Sequence, residues 1–303
     1  MTKIPTDEWH DAGSYHVHEN EDYDDAVRIF YIEENRDAAE TVVLVHGFPT
    51  SSWDWTKVWD ELAEEYHVID LDMVGFGFSD KPQGYPYSLF DQADLHEEIL
   101  ADLGVEGAHI LAHDYGDTVV QELLARRRED ELSFEIHDAL LLNGGIFYEA
   151  IEPTQTQELL LGPDGAEVAR SITREVFGGA FGDVFAEETR PSEEELDGFW
   201  SLVTHNDGNE VMHEIIRYLD ERRDNRDRWV DALRETDVPH KFAVGPEDPV
   251  SGEKMAKRYE EVVPNPDMER FEGVGHYPQW EAPDEVLESF FEFADEHGRF
   301  SAR

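Results

Sequence analysis

Two kinds of apolar segment alternate along the chain. The first is short and unbroken, and ends in glycine or a polar turn. TVVLVHG stops at His46–Gly47, and Val68–Leu71 leads into the glycine-rich loop VGFGFSD. Runs of this length read as strands buried on both faces of a parallel sheet. The second kind has helical spacing. Between those two strands, WTKVWDELAEE places Val58, Leu62 and the flanking tryptophans on one face, which predicts a β-helix-β unit. Leu95, Ile99 and Leu103 predict a helix over Leu89–Leu103, and Gly104 suits its C-terminus. GAHILAHDYG then supplies a strand, a sharp turn and a helix onset at Tyr115–Gly116, with Val119, Val120, Leu123 and Leu124 facing inward. IHDALLLNGG predicts a strand ending near Asn143. VPHKFAVGPEDP and DMERFEGVGHYP predict the last two strands with their loops. A terminal helix starts near Pro283 and carries Val286, Leu287, Phe290 and Phe291, and YHVHE with AVRIFYIEE suits an early hairpin.

The interval from about Gly145 to Trp229 lacks strands and reads as helices joined by turns: TQTQELLL, GAEVARSITREVF, SEEELDGFWSLV and VMHEIIRYLDERR. The expected architecture is therefore α/β, a mostly parallel doubly wound sheet with an inserted helical cap. Residues 1–144 form the first part of the core, 145–230 the cap and 231–303 the rest of the core. Ligands bind outside the carboxyl ends of such strands, where a cap can close and exclude water.

Charge changes the picture of the surface. The 303 residues include 24 Lys plus Arg against 72 Asp plus Glu, a formal net charge of -48 at pH 7. The acid is spread along the chain among 17 Phe, 11 Tyr and 7 Trp, which excludes a disordered acidic tail. Such a charge repels itself in dilute salt and is screened at molar salt, where the Debye length is about 3 Å. This pattern suits the salty cytoplasm of a halophilic archaeon and argues against a nucleic-acid partner. Cysteine is absent, which removes disulfides, thiolate nucleophiles and Cys-based metal sites. The N-terminal MTKIPTDEWHDAG has no apolar h-region, and no run approaches the length of a membrane span, so a cytoplasmic location is expected.

Ala112-His113-Asp114-Tyr115-Gly116 lies between an apolar strand and an amphipathic helix, the setting of a nucleophile elbow. Its central residue is Asp rather than Ser. Gly273-Val274-Gly275-His276-Tyr277-Pro278 follows a predicted strand and suits a catalytic histidine loop. Gly245-Pro246-Glu247-Asp248-Pro249 follows the preceding strand, where an orienting acid belongs, with Glu247 and Asn143 as alternatives to Asp248. The order Asp114, Asp248, His276 is that of nucleophile, acid and base in this type of sheet. His46 and His113 read as local structural donors. Gly75-Phe76-Gly77 lacks the spacing of a dinucleotide fingerprint.

With LVHGFPTSSWDW, GFGFSDKP, LAHDYGDTVVQELL, LLNGGIF, HNDGN, GPEDPV and GHYPQWE, the chain resembles the α/β-hydrolase superfamily in its epoxide hydrolase and haloalkane dehalogenase branch. Within that branch it is most similar to the mesoderm-specific transcript group. The resemblance implies an α/β-hydrolase fold with Asp114 as nucleophile, His276 as base and Asp248 as its orienting partner. Attack by Asp114 on an sp³ carbon would form an alkyl ester, which water activated by His276 hydrolyses. Backbone N–H groups of Phe48 and Tyr115 are the expected oxyanion donors. No metal and no organic cofactor is required. The partners are a small uncharged organic substrate and water, and the oligomeric state is left open.

The resemblance also separates two chemistries. Dehalogenase-like members place Trp after the nucleophile and Asn, or a second Trp, to cradle halide; here those positions hold Tyr115 and Phe48. HGFP resembles the epoxide hydrolase form, in which cap tyrosines donate to the epoxide oxygen. Tyr218 and Tyr148 are the candidates. Trp53, Trp55, Trp200, His205 and Asn206 are candidate pocket-lining residues. No Arg stands in HDYGD to hold an anionic substrate. Opening of an epoxide to a diol is therefore expected, with haloalkane dehalogenation or a ligand-binding role as alternatives. The charge pattern carries its own test: the thermal unfolding midpoint should rise between about 0.1 M and about 3 M KCl. A midpoint that is flat or falls would exclude salt adaptation.

Overall fold

The computed structural model describes residues 3–297. Its strands are β1 (Ser14–His18), β2 (Val27–Glu34), β3 (Thr41–Val45), β4 (His67–Leu71), β5 (Gly107–His113), β6 (Glu135–Leu142), β7 (His240–Val244) and β8 (Asp267–Arg270). They form one eight-stranded sheet in the order β1-β2-β4-β3-β5-β6-β7-β8. The β1–β2 and β2–β4 pairs are antiparallel and all the others are parallel. The central runs are the unbroken apolar ones: every residue of β4 is buried, and so are Val42–Val45 of β3. The edges differ as edges should, because only one side of an edge strand is covered. β1 exposes Tyr15 and Val17, and β8 is half-buried throughout.

The helix Leu89–Leu103 begins where the Ser88 hydroxyl accepts the Phe90 N–H and ends at Gly104, whose φ of 75° suits a residue without Cβ. The helix Tyr115–Arg128 follows β5 with a single intervening residue, Asp114, and the terminal helix is Pro283–His297. One expectation is corrected. WTKVWDELAEE is not a single helix but a 3-10 turn, Ser52–Trp55, and a short helix, Trp59–Ala63. Trp55 closes the 3-10 turn, fully buried, and Trp59 opens the helix with its indole donating to Glu34. Two further helices, Thr6–Ala12 and Glu253–Val262, add to those expected, and Met255, Ala256 and Tyr259 give the second its buried face.

Between β6 and β7 the chain is helical and adds no strand to the sheet. Two of these helices, Gln155–Leu161 and Glu193–Val203, open with reciprocal capping boxes, Thr154 with Gln157 and Ser192 with Glu195. The last, Arg226–Glu235, packs on Tyr115–Arg128, where the Trp229 indole donates to Glu122 at 2.9 Å. No helix among the described residues is long and apolar enough to cross a membrane.

The carboxyl ends of β3, β5, β6 and β7 therefore meet beneath the inserted helices. The tightest point is Gly116, where an added Cβ would stand 2.4 Å from Val45 O and 2.9 Å from His46 O. Both contacts are backbone and cannot swing away. Gly116→Ala should cost about 1–3 kcal/mol, the usual penalty of overpacking, read as a lower urea midpoint. An unchanged midpoint would show that the elbow helix is free to shift from β3.

Candidate active site

Asp114 occupies the turn between β5 and the elbow helix with φ 49° and ψ -103°. A non-glycine residue in such a conformation carries strain of about 1–3 kcal/mol and persists only where its surroundings over-determine it. Here they do. The Asp114 N–H donates to Leu142 O of β6 at 3.1 Å, and an added Cβ on Gly47 would lie 2.8 Å from the Asp114 Cβ. The Phe48 N–H donates to Asp114 Oδ2 at 3.0 Å. Tyr115 is the first residue of the helix, where N–H groups have no intrahelical acceptor and the dipole favours a carboxylate.

The histidine stands on the opposite loop. His276 Nδ1 lies 2.8 Å from Asp248 Oδ2, both side chains being buried. Asp248 is itself held by Asn143 Nδ2 at 2.7 Å, Ser251 Oγ at 2.8 Å and the Val250 N–H at 2.7 Å. Burial pushes the Asp248 carboxyl up, but the His276 charge and these donors outweigh it and hold the group below its ordinary value. Burial likewise pushes His276 down. The charge and hydrogen bond of Asp248 outweigh it, with Asp114 adding to them, and raise the imidazole to about 9. Glu247, the alternative acid, is exposed. Asn143 supports Asp248 and also accepts the Gly245 N–H, so it joins the ends of β6 and β7.

The flanking histidines have local partners. The His113 Nε2–H donates to His276 O at 2.7 Å. His46 Nδ1–H donates to Gly47 O at 2.9 Å, while its Nε2 accepts the Met73 N–H at 3.1 Å. Both rings are pushed down by burial and are neutral.

A cavity of about 80 Å³ reaches Phe48 and His276 from the inserted helices. Leu160, Ile172, Phe177, Phe181 and Met212 make its wall apolar, while Thr154, Thr156 and Gln157 add polar groups at one side. Val176 lines it and is 54% exposed, which marks the mouth. Tyr218 is buried beside the elbow, its ring 5.7 Å from Phe48 and 4.8 Å from Tyr115. Burial pushes its hydroxyl up, the Asp114 charge adds to this, and Arg222 opposes it. Tyr218 is thus protonated at neutral pH.

Several residues expected around the pocket lie elsewhere, which corrects that expectation. Tyr148 sits in a short 3-10 turn and is 38% exposed, away from the cavity wall. Trp53 packs against Phe199 and Trp280, and Trp55 is fully buried in the core; neither lines the cavity. Trp200 stands behind Phe177, and His205 packs on Phe78. Asn206 is exposed with φ 51° and Asp207 has φ 59°, so HNDGN is a turn built from two left-handed residues.

Other residues of the site gain a role only from the structure, although Asp117 and Glu281 lie within LAHDYGDTVVQELL and GHYPQWE. Glu281 accepts the N–H groups of Gly275 and Tyr277 at 2.9 Å each and that of Ala186 at 3.0 Å. It shapes the histidine loop and ties it to the inserted segment, where Val184 O also accepts the His276 N–H at 2.9 Å. Glu221 accepts from the Ser88 hydroxyl and Leu89 N–H at 2.7 Å each. Arg222 donates to Asp114 O at 3.0 Å and Thr118 Oγ1 at 2.8 Å. Asp117, buried behind Asp114, is pushed well above its ordinary value by burial and the Asp114 charge, with the Arg222 charge opposing them. No group of three or more His, Asp or Glu among the described residues is arranged to hold a metal ion.

This arrangement, a strained turn between a strand and a helix facing a histidine–carboxylate pair across strand ends, is that of one large class of folds. The model of the alpha/beta hydrolase family matches residues 42–289, and the chain belongs to that family. Among curated proteins it is 39% identical over 297 residues to the mesoderm-specific transcript homolog protein of Bos taurus, covering 94% of this chain and 86% of that one. It is 35% identical over 289 residues to a protein named as a hydrolase, LipZ of Mycobacterium tuberculosis, covering 95% and 98%. Solved structures of similar fold include the epoxide hydrolase CorEH, with a TM-score of 0.73 and 18% identity, covering 93% of this chain and 98% of that one. Another is the haloalkane dehalogenase DbeA from Bradyrhizobium elkani, with a TM-score of 0.74 and 21% identity, covering 94% and 98%.

The His276–Asp248 pair carries a pH signature. With its folded value raised to about 9, His276 contributes stability that is fully present below its unfolded value, about 6.5, and is lost as pH rises through the folded one. Asp248, depressed, contributes above its unfolded value and loses that as pH falls. The excess stability of the wild type over Asp248→Asn should therefore be larger at about pH 6 than at about pH 10, measured by urea unfolding. An excess independent of pH would show that the pair is not charged in the folded protein.

Proposed function

We propose that this protein opens a small, uncharged, apolar epoxide to a diol through an ester on Asp114, beneath a cap formed by residues 145–230. The reading is carried by Tyr218: a buried, protonated phenol packed against both residues that flank the Asp114 carboxylate. Opening an epoxide leaves an alkoxide that needs a proton, and a phenol can give one. Halide release needs N–H donors instead. Neither an indole nor Tyr218 is among the residues that line the cavity; Tyr218 meets the site through Phe48 and Tyr115, whereas the Trp53 N–H is engaged by Ile4 O.

The steps balance. An Asp114 oxygen attacks a ring carbon, the C–O bond of the ring breaks, and the alkoxide takes the Tyr218 proton. Alkylation abolishes the Asp114 charge, one of the influences that raise His276. The imidazole is thereby moved toward the neutral form that the second step needs. His276 Nε2 then takes a proton from water, and the oxygen attacks the ester carbonyl carbon. The Phe48 N–H, which already faces Asp114 Oδ2, supports the tetrahedral oxyanion, with the Tyr115 N–H as its partner. The acyl C–O bond breaks, the departing alkoxide takes the hydroxyl proton that water left on the Asp114 carboxyl, the diol leaves, and the proton on His276 returns to the Tyr218 oxygen. Asp248 holds Nδ1 throughout.

The apolar wall favours a substrate with an aryl or alkyl substituent, and the cavity volume favours a small one. The test is turnover in about 3 M KCl with terminal epoxides and short bromoalkanes side by side. Diol should form, disappear in Asp114→Ala, and fall by about 10²-fold or more in Tyr218→Phe, as for loss of a general acid. Bromide release with no diol would make the chemistry dehalogenation. Silence towards both in the folded protein would end the epoxide reading.

A further inference from the structure

The turn after β6, Asn143-Gly144-Gly145, receives one group from each part of the site. Asn143 holds Asp248. A Cβ on Gly144 would stand 2.0 Å from Asp117 Oδ2, and one on Gly145 would stand 2.2 Å from Arg222 Nη1. The two glycines therefore make room for a carboxyl behind the nucleophile and for a guanidinium from the inserted helices.

Arg222 is 3% exposed. A buried guanidinium is costly to desolvate and is normally matched by a carboxylate. Among the described residues it makes no ion pair within 4.0 Å. Its Nε donates to Thr118 Oγ1 and its Nη2 to Asp114 O, the two ends of the first turn of the elbow helix. Its Cζ lies 4.6 Å over the ring of Tyr218, four residues earlier on the same helix, Tyr218–Asp224. The orientation of the Asp114 carbonyl is set by ψ, the angle that the strained turn holds at -103°. A donor on that oxygen fixes the direction in which the Asp114 side chain leaves the backbone.

We propose that Arg222 is a positioning residue that holds the Asp114 backbone and the Tyr218 ring in one fixed relation, so that a single helix of the cap sets the geometry between nucleophile and proton donor. The part of this that concerns proton donation rests on the epoxide reading above; the hold on Asp114 does not. Arg222 does not line the cavity, and it donates to the Asp114 carbonyl oxygen rather than to the carboxylate. Its effect is on alignment, and an error of about 1 Å in a reacting pair is enough to cost about 10² in rate. Lysine, with one point of charge and no fork, can reach one of the two acceptors but not both.

The test uses Arg222→Met, Arg222→Lys and Gly145→Ala in the full chain. Single-turnover ester formation should fall about 10²-fold in Arg222→Met, with KM within about threefold. Arg222→Lys should recover part of the loss. Gly145→Ala, which displaces the guanidinium without removing it, should reproduce the defect. The double variant Gly145→Ala with Arg222→Met should be no worse than Arg222→Met alone, since both remove one interaction. Hydrogen exchange supplies a readout independent of substrate: the peptide spanning 112–118 should lose protection in Arg222→Met while β3 and β4 keep theirs. Wild-type rates of ester formation in Arg222→Met, or additive losses in the double variant, would overturn the proposal. So would unchanged exchange at 112–118 together with a lowered unfolding midpoint, the signature of a merely structural arginine. If the wild type turns over no epoxide, the epoxide reading fails alone, and the exchange experiment still decides whether Arg222 holds Asp114.

Discussion

The structure depends on one strained residue. Asp114 is held at φ 49° and ψ -103°, and no single contact accounts for that. β5 delivers the chain to the turn, the elbow helix carries it away, Leu142 O accepts the Asp114 N–H, and the Phe48 N–H meets the carboxylate. Gly47 and Gly116 lack side chains where a Cβ would collide with Asp114 and with the β3 backbone. A strain of about 1–3 kcal/mol is small against the burial of the sheet, and it places a carboxylate where it accepts the Phe48 N–H and its charge acts on His276.

The charges around that residue are arranged with equal economy in a chain whose net charge is -48. Burial raises the carboxyls of Asp54, Asp70 and Asp117 well above their ordinary values and so disfavours their charged forms. Against burial, Asp248, Asp114 and Glu281 raise His276, while Arg222 opposes the Asp114 charge at Tyr218 and Asp117. In the proposed reaction a neutral ester on Asp114 would remove one of the charges that raise His276, and His276 would respond by giving up its proton. The acid of the surface is a separate matter of screening and solubility, and it acts on the same fold only through salt.

Much of this is legible in the sequence, for physical reasons. Unbroken apolar runs ending in polar turns identify strands buried on both faces, and the residues at their carboxyl ends, Asp114, Asn143, Asp248 and His276, are where a parallel sheet gathers its chemistry. The helix Leu89–Leu103 is legible to the residue, because Ser88 and Gly104 are both caps. What stays hidden depends on distance and on number. Arg222 lies 108 residues from Asp114, and nothing in RYLDERRDNR separates it from its neighbours. Glu281 is masked among 72 acidic residues, although it organises the histidine loop and its tie to the inserted segment. Trp53, Trp55 and Tyr148 show the converse error: aromatic residues near a site in sequence are more often packed into the core or turned to solvent than aimed at the ligand.

The central claim is that a carboxylate is the nucleophile, and the most direct measurement is capture of the ester. His276→Gln removes the base and leaves Asp114, Phe48 and Tyr218 in place. Incubated with an epoxide that the wild type hydrolyses, this variant should gain the mass of one whole epoxide, and peptide mapping should place the addition on Asp114. A variant that stays unmodified while the wild type turns over the same epoxide, or an addition on any other residue, would contradict it.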